Sequence, residues 1–102
     1  MKQVRVSPKA DHESDVFADF IAKDDLDAAL RFLEAAQVTY SLISENPAIG
    51  SLRFEVLTDI RGLRVISVNG FENHLVFYIE RQTYVDVIRI LHSSRDIPAA
   101  IR

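Results

Sequence analysis

Residues 24–47, DDLDAALRFLEAAQVTYSLISENP, decide the fold. Leu26, Ala29, Leu30, Leu33, Ala36, Tyr40 and Ile43 recur at three- and four-residue steps, the stripe of one helix face. Asp24 is placed to cap its start, Asp27 sits near the third helical position, and Pro47 stops it. About 22 residues at 1.5 Å each give a rod roughly 33 Å long. Just upstream, Ser7-Pro8 reads as a second helix start, with Asp11 and Glu13 favourable near a helix N-terminus. That helix runs to about Lys23, and Val16, Phe17, Phe20 and Ile21 form its expected buried face. The connection between the two is very short, which predicts an antiparallel helical hairpin.

Outside the hairpin the period falls to two. KQVRVS (2–7) alternates as a short strand before the first helix. After NPAIG (46–50), SLRFEVL (51–57) reads as a short strand and GLRVISV (62–68) as a firmer one. HLVFYIE (74–80) and YVDVIRILH (84–92) follow, joined by RQT (81–83), short enough for a hairpin turn, while NGFEN (69–73) supplies the preceding turn. The order predicts a single α+β domain over residues 1–102. It comprises an N-terminal strand, an antiparallel helical hairpin, and a mostly antiparallel three- to four-stranded sheet with the hairpin on one face.

Composition narrows the function. The chain has 48% hydrophobic and 26% charged residues, as an ordinary globular domain does, and no apolar run approaches a membrane span. Its first fifteen residues, MKQVRVSPKADHESD, lack the apolar core of a secretion signal. The absence of cysteine removes disulfides and thiolate chemistry and fits a cytoplasmic protein. The net charge is −3, with −4 in residues 1–48 and +1 in residues 49–102, where every basic residue is Arg. Such a field disfavours nucleic acid as the primary ligand, whereas the arginines suit acidic protein segments.

Catalytic signatures are sparse. There is no Gly-rich phosphate loop, and His12, His74 and His92 lack the spacing of a helical ligand set, so neither cofactor nor metal is expected. SVNGF and HSSRD are not nucleophile turns. What remains is a strand-half constellation of Arg61, Arg64, Tyr78, Arg81, Tyr84, His92 and Arg95. Alternation sets Arg64, Ile66 and Val68 against Val65 and Ser67, and places His92 on one face with Ile88 and Ile90. A histidine so placed reads as partly buried and hydrogen-bonded near a strand end.

The Pro-x-x-Gly of Pro47–Gly50, the Gly-x-Arg of Gly62–Arg64, Phe77-Tyr78 and the closing His-x-x-Arg-Asp of His92–Asp96 stand in one order along the chain. Together with the element order they resemble the ParE toxins of the RelE/ParE toxin–antitoxin superfamily. The resemblance implies the toxin of a type II plasmid-stabilising pair that traps a DNA gyrase–DNA intermediate. A ParD-type antitoxin would neutralise it by forming an oligomeric complex. Under that reading there are no catalytic residues. Arg95, Asp96 and Arg102 are expected to face gyrase, and Arg64, Arg81 and Arg89 to face the antitoxin. The other branch of the superfamily implies a ribosome-dependent mRNA endonuclease, in which His92, Arg64 and Arg95 would serve acid–base and charge-stabilising roles. Against it, no Lys follows Lys23 and no Tyr follows Tyr84. A third reading is a non-toxic antitoxin-binding module.

Overall fold

The computed structural model describes residues 1–102. Strand β1 (Gln3–Val6) leads into helices α1 (Pro8–Ala22) and α2 (Leu26–Glu45). A single 3₁₀ turn (Pro47–Ile49) and a short helix α3 (Glu55–Thr58) connect them to β2 (Leu63–Val68), β3 (Phe71–Glu80) and β4 (Tyr84–His92). A last short helix, α4 (Ile97–Ala100), ends the chain. The sheet order is β1-β4-β3-β2, with β1 parallel to β4 and the other pairs antiparallel. This is the expected α+β architecture, with the helical hairpin across one face.

Ser7 caps α1 by accepting the Ala10 N–H at 3.0 Å, ahead of Pro8. At the start of α2 the cap is Asp25, whose carboxylate accepts the Ala28 N–H at 3.1 Å, and not Asp24. The reason lies in α1: the N–H groups of both Asp24 and Asp25 still bond to Ile21 O, so Asp24 belongs to the closing turn of the first helix. Asp25, with φ −155° and ψ 102°, is the first residue free to cap.

The buried stripe is shifted from the one the spacing suggests. α2 buries Ala29, Phe32, Ala36, Thr39, Tyr40 and Ile43, leaving Leu26, Leu30 and Leu33 exposed. α1 sinks the small residues Ala10, Ser14 and Ala18, and Ser14 lies across from Gln37 and Tyr40 of α2. Small side chains let two helices approach closely, so the bulky Val16 and Phe20 are left outward while Phe17 and Ile21 pack against the core.

Both faces of the sheet are covered. Val68, Val76, Tyr78, Val85, Val87 and Ile90 pack under the helices, and Leu63, Val65, Leu75, Phe77 and Leu91 form a second layer behind. Ile97 and Ile101, at 4% and 8% exposure, close that second layer. Burial of side chains this size stabilises by about 1.5–3 kcal/mol each. SLRFEVL is not a strand. Ser51 forms one isolated bridge to Val65, after which Phe54 turns in against the Phe77 ring (5.5 Å) and α3 begins. The Glu55 carboxylate of α3 accepts the Gly62 N–H at 2.7 Å, fixing the left-handed turn (φ +79°) that enters β2.

A bulge alters the face pattern of β4. Phe77 opposes Arg89 while Tyr78 opposes Val87, which leaves Ile88 as the extra residue. Ile88 therefore joins the second layer, and only Ile90 stays on the helical side with His92.

Candidate functional site

Three of the four sequence motifs meet in one place. Tyr78 is fully buried on β3, and its hydroxyl donates to Pro47 O at 2.7 Å and accepts the Gly50 N–H at 2.8 Å. Burial pushes this phenol above its ordinary value, against the opposing pull of the Gly50 hydrogen bond and the Arg64 charge. A Cβ on Gly50 would lie 2.6 Å from the Tyr78 hydroxyl, so the turn requires glycine for close approach. From β2, directly opposite Tyr78, Arg64 donates through Nη1 to Gly50 O at 2.8 Å and Ala48 O at 3.3 Å. Pro47–Gly50, Arg64 and Tyr78 thus form one locking unit for the chain leaving α2.

The fourth motif lies at the other end of the sheet. His92 pairs with His74 across β3–β4, and their ring centroids are 5.2 Å apart. His92 Nδ1 accepts the Ser94 N–H at 3.1 Å and lies 2.8 Å from Ser94 Oγ, which places the proton of the neutral ring on Nε2. His74 sits among Phe17, Phe32 and Phe71 at 4.9, 5.0 and 6.3 Å, and its buried Nδ1 has no hydrogen-bond partner. Burial, and then the neighbouring His92, lowers the His74 pKa below its usual value. Arg95 is exposed in the turn that follows, with its N–H on His92 O at 3.0 Å. Asp96 turns to the N-terminus of α4, accepting the Ala99 N–H at 3.4 Å, and Arg102 is exposed.

Arg64 and His92 do not share a site. Arg64 lies beside Tyr78 and His92 beside His74, four residues apart along β3 and on strands two spacings apart. At ~3.3 Å per residue and ~4.8 Å per strand, this is roughly 13 Å along the sheet and 10 Å across it. General acid–base catalysis needs its partners within hydrogen-bond reach of one reacting group.

Arg81 is 46% exposed, pairs with Asp86 at 3.3 Å, and lies next to the Lys2–Glu80 ion pair. Arg89, also expected to face a partner, is instead turned inward at 7% exposure. Its Nε is 3.0 Å from both Glu13 carboxylate oxygens, its Nη2 is 2.6 Å from one of them, and its Nη1 donates to Ala100 O at 2.5 Å. The bulge at Ile88 and the end of β1 at Val6 explain this. Beyond them β4 has no neighbouring strand on its β1 side, and the Glu13 carboxylate takes that place by accepting the Ile90 N–H at 3.1 Å. Nothing in the spacing of Glu13 and Arg89, 76 residues apart, announces the pair.

The surface also carries large apolar side chains in the open. Phe20 (69%), Leu26 (65%) and Leu30 (54%) lie on the hairpin, and Val56 (88%) and Leu57 (63%) on α3. No three His, Cys, Asp or Glu side chains cluster as a metal site, and no helix is long and apolar enough to cross a membrane.

Compared with known families, residues 4–97 match a family described as ParE toxin of type II toxin-antitoxin system, parDE. No curated protein matches the chain.

Proposed function

The chain belongs to the ParE toxin family of type II toxin–antitoxin systems, and from that premise we propose that it acts by binding rather than by bond-making. Its target is DNA gyrase, held on a gyrase–DNA intermediate, and its silencing partner is a ParD-type antitoxin. In this reading both act in the cytoplasm, and the pair serves plasmid stabilisation. The observation that carries it is the position of Arg64. Its guanidinium holds the Ala48 and Gly50 carbonyls at the opposite end of the sheet from His92 and Arg95. That separation supports a toxin that needs no acid–base set and weighs against the ribosome-dependent nuclease.

A poison of this kind traps its target by binding one intermediate more tightly than the states on either side. Arg95, Asp96 and Arg102 are the residues assigned to gyrase; Arg95 and Arg102 are exposed and make no ion pair inside the chain. For the antitoxin, Arg81 and the outer side of Arg64 offer cationic contacts. The exposed apolar residues of the hairpin supply the surface on which a partner helix would be buried.

The test is gyrase supercoiling and DNA cleavage with the purified, antitoxin-free chain. Lost supercoiling with accumulated cleaved DNA is expected, relieved by Arg95→Ala with Arg102→Ala in a variant of unchanged thermal stability. Normal gyrase activity together with ribosome-dependent mRNA cleavage would replace this reading with the nuclease one. No toxicity in either assay would leave the antitoxin-binding module.

A further inference from the structure

Under the C-terminal half of α1 lies a cavity of about 380 Å³ lined by Val16, Phe17, Phe20, Ile21, His74 and His92. It has room for one or two large apolar side chains. Phe20 and Val16, at 69% and 49% exposure, stand at its mouth rather than filling it. Its floor is the edge-on contact of His74 with His92.

The groups facing His74 are Phe17 from α1, Phe32 from α2, Phe71 from β3 and His92 from β4. Only His92 among them is an ionisable residue. Facing His92 are His74 and, from the following turn, Ser94. Beside the mouth, α1 carries the exposed His12 and Asp19, and its C-cap Lys23 has its ammonium 5.9 Å from the Phe20 ring. Exposed Asp24 and Asp25 in the connection and Asp27 in the first turn of α2 follow, so that the chain next to Asp19 is acidic. An apolar mouth beside such a flank suits a segment whose apolar anchor is bordered by Lys or Arg.

Resting on the antitoxin reading above, we propose that this cavity takes an apolar side chain of the antitoxin, bordered by basic residues, and that the His74–His92 floor makes the contact acid-sensitive. Closing the mouth removes water from two adjacent imidazoles. A proton on either would then face a second ring and hydrocarbon walls with no carboxylate among them. The complex therefore holds fewer protons than the free chain in acid. Affinity is full above the ordinary histidine range and falls as the pH drops through the lowered His74 value. By linkage, each proton excluded weakens binding by up to about tenfold per pH unit.

The experiment is isothermal titration of the antitoxin-free chain with the product of the adjacent reading frame, at about pH 7 and about pH 5, on either side of the histidine range. The wild-type Kd is expected to rise in acid, by no more than about tenfold per pH unit for each proton excluded. Phe20→Asp should weaken binding at least tenfold at neutral pH while leaving the circular dichroism unchanged. His74→Phe, which completes an aromatic cluster, and separately His92→Gln, should each flatten the acid slope, read as the ratio of Kd in acid to that variant's own Kd at neutral pH. His12→Gln should keep the slope. Absence of any complex at both pH values would remove the antitoxin reading itself. A complex that Phe20→Asp does not weaken would overturn the docking site. Equal slopes in wild type and both floor variants would overturn the acid gate.

Discussion

Replacing Glu13 with Ala tests the claim that a carboxylate from α1 completes the edge of β4. In the native chain Arg89 and Glu13 are 9% and 16% exposed at their side chains, and the carboxylate also accepts the Ile90 N–H. Its removal leaves a buried guanidinium with only Ala100 O as partner, and an orphaned backbone donor. An uncompensated buried charge costs about 3–5 kcal/mol, and an unsatisfied N–H roughly 1–3 kcal/mol more. Partial water access at 16% exposure lets solvent replace part of what both groups lose, which discounts the sum to about 3–4 kcal/mol. A domain of this length has only some 5–15 kcal/mol of stability in total. At ~4 °C or more per kcal/mol, Tm should fall by at least about 12 °C. The assay is urea unfolding followed by circular dichroism, with m-values compared to confirm that the folded state is unchanged. Glu13→Leu with Arg89→Met, which removes both charges, should recover most of the loss. A loss below about 1 kcal/mol in Glu13→Ala, or a double variant worse than the single, would refute the reasoning.

Other expectations follow from individual contacts. Gly50→Ala, whose backbone (φ −74°, ψ 155°) suits alanine, should lose about 1–3 kcal/mol purely through its 2.6 Å approach to Tyr78. Tyr78→Phe in that background should cost less than in wild type, as a double-mutant cycle would measure. Asp25→Ala should destabilise by about 1 kcal/mol, whereas Asp24→Ala should fall within about 0.5 kcal/mol of wild type in the same unfolding assay. Burial, and then the Asp11 charge, pushes the Tyr40 phenol up to about 12. Its folded value is raised above the unfolded one, so its contribution is complete below the unfolded value of ~10 and is lost as pH rises toward 12. Tyr40→Phe should flatten alkaline unfolding over that window, and phenolate absorbance should show one tyrosine ionising last.

The order of the long helices and main strands, the hairpin, the turn at Pro47–Gly50 and the faces of β2 were legible in the sequence, because period and turn chemistry are local; the short helices α3 and α4, and the start of β3 at Phe71 inside the expected NGFEN turn, were not. What escaped reading depends on contacts between distant segments. Two apolar stripes run side by side on α2, and periodicity alone does not say which one α1 and the sheet cover. The small residues Ala10, Ser14 and Ala18 settle that by permitting close approach. The bulge at Ile88 has no signature in the alternating run YVDVIRILH, yet it reverses the face of Ile88 and lets Arg89 meet Glu13. SLRFEVL alternates like a strand, but Phe54 is drawn inward to Phe77 and the pairing stops after one bridge. Of the candidate site residues, Arg95 and Arg102 lie outward as their charge suggests. Arg89 does not, and His74, which joins His92, carries no motif around it.

The parallel pairing of β1 with β4 also sets a timetable for maturation. Gln3 meets Tyr84, a partner made 81 residues later. At about 5–20 residues per second, β1 waits roughly 4–16 s after its own synthesis before β4 exists. Helices α1 and α2 are local and form early, but the face they turn to the sheet stays uncovered through that interval. Such distant pairing slows folding and exposes apolar surface to whatever is nearby. A nascent copy is therefore most open to capture before residues 84–92 of β4 are in place.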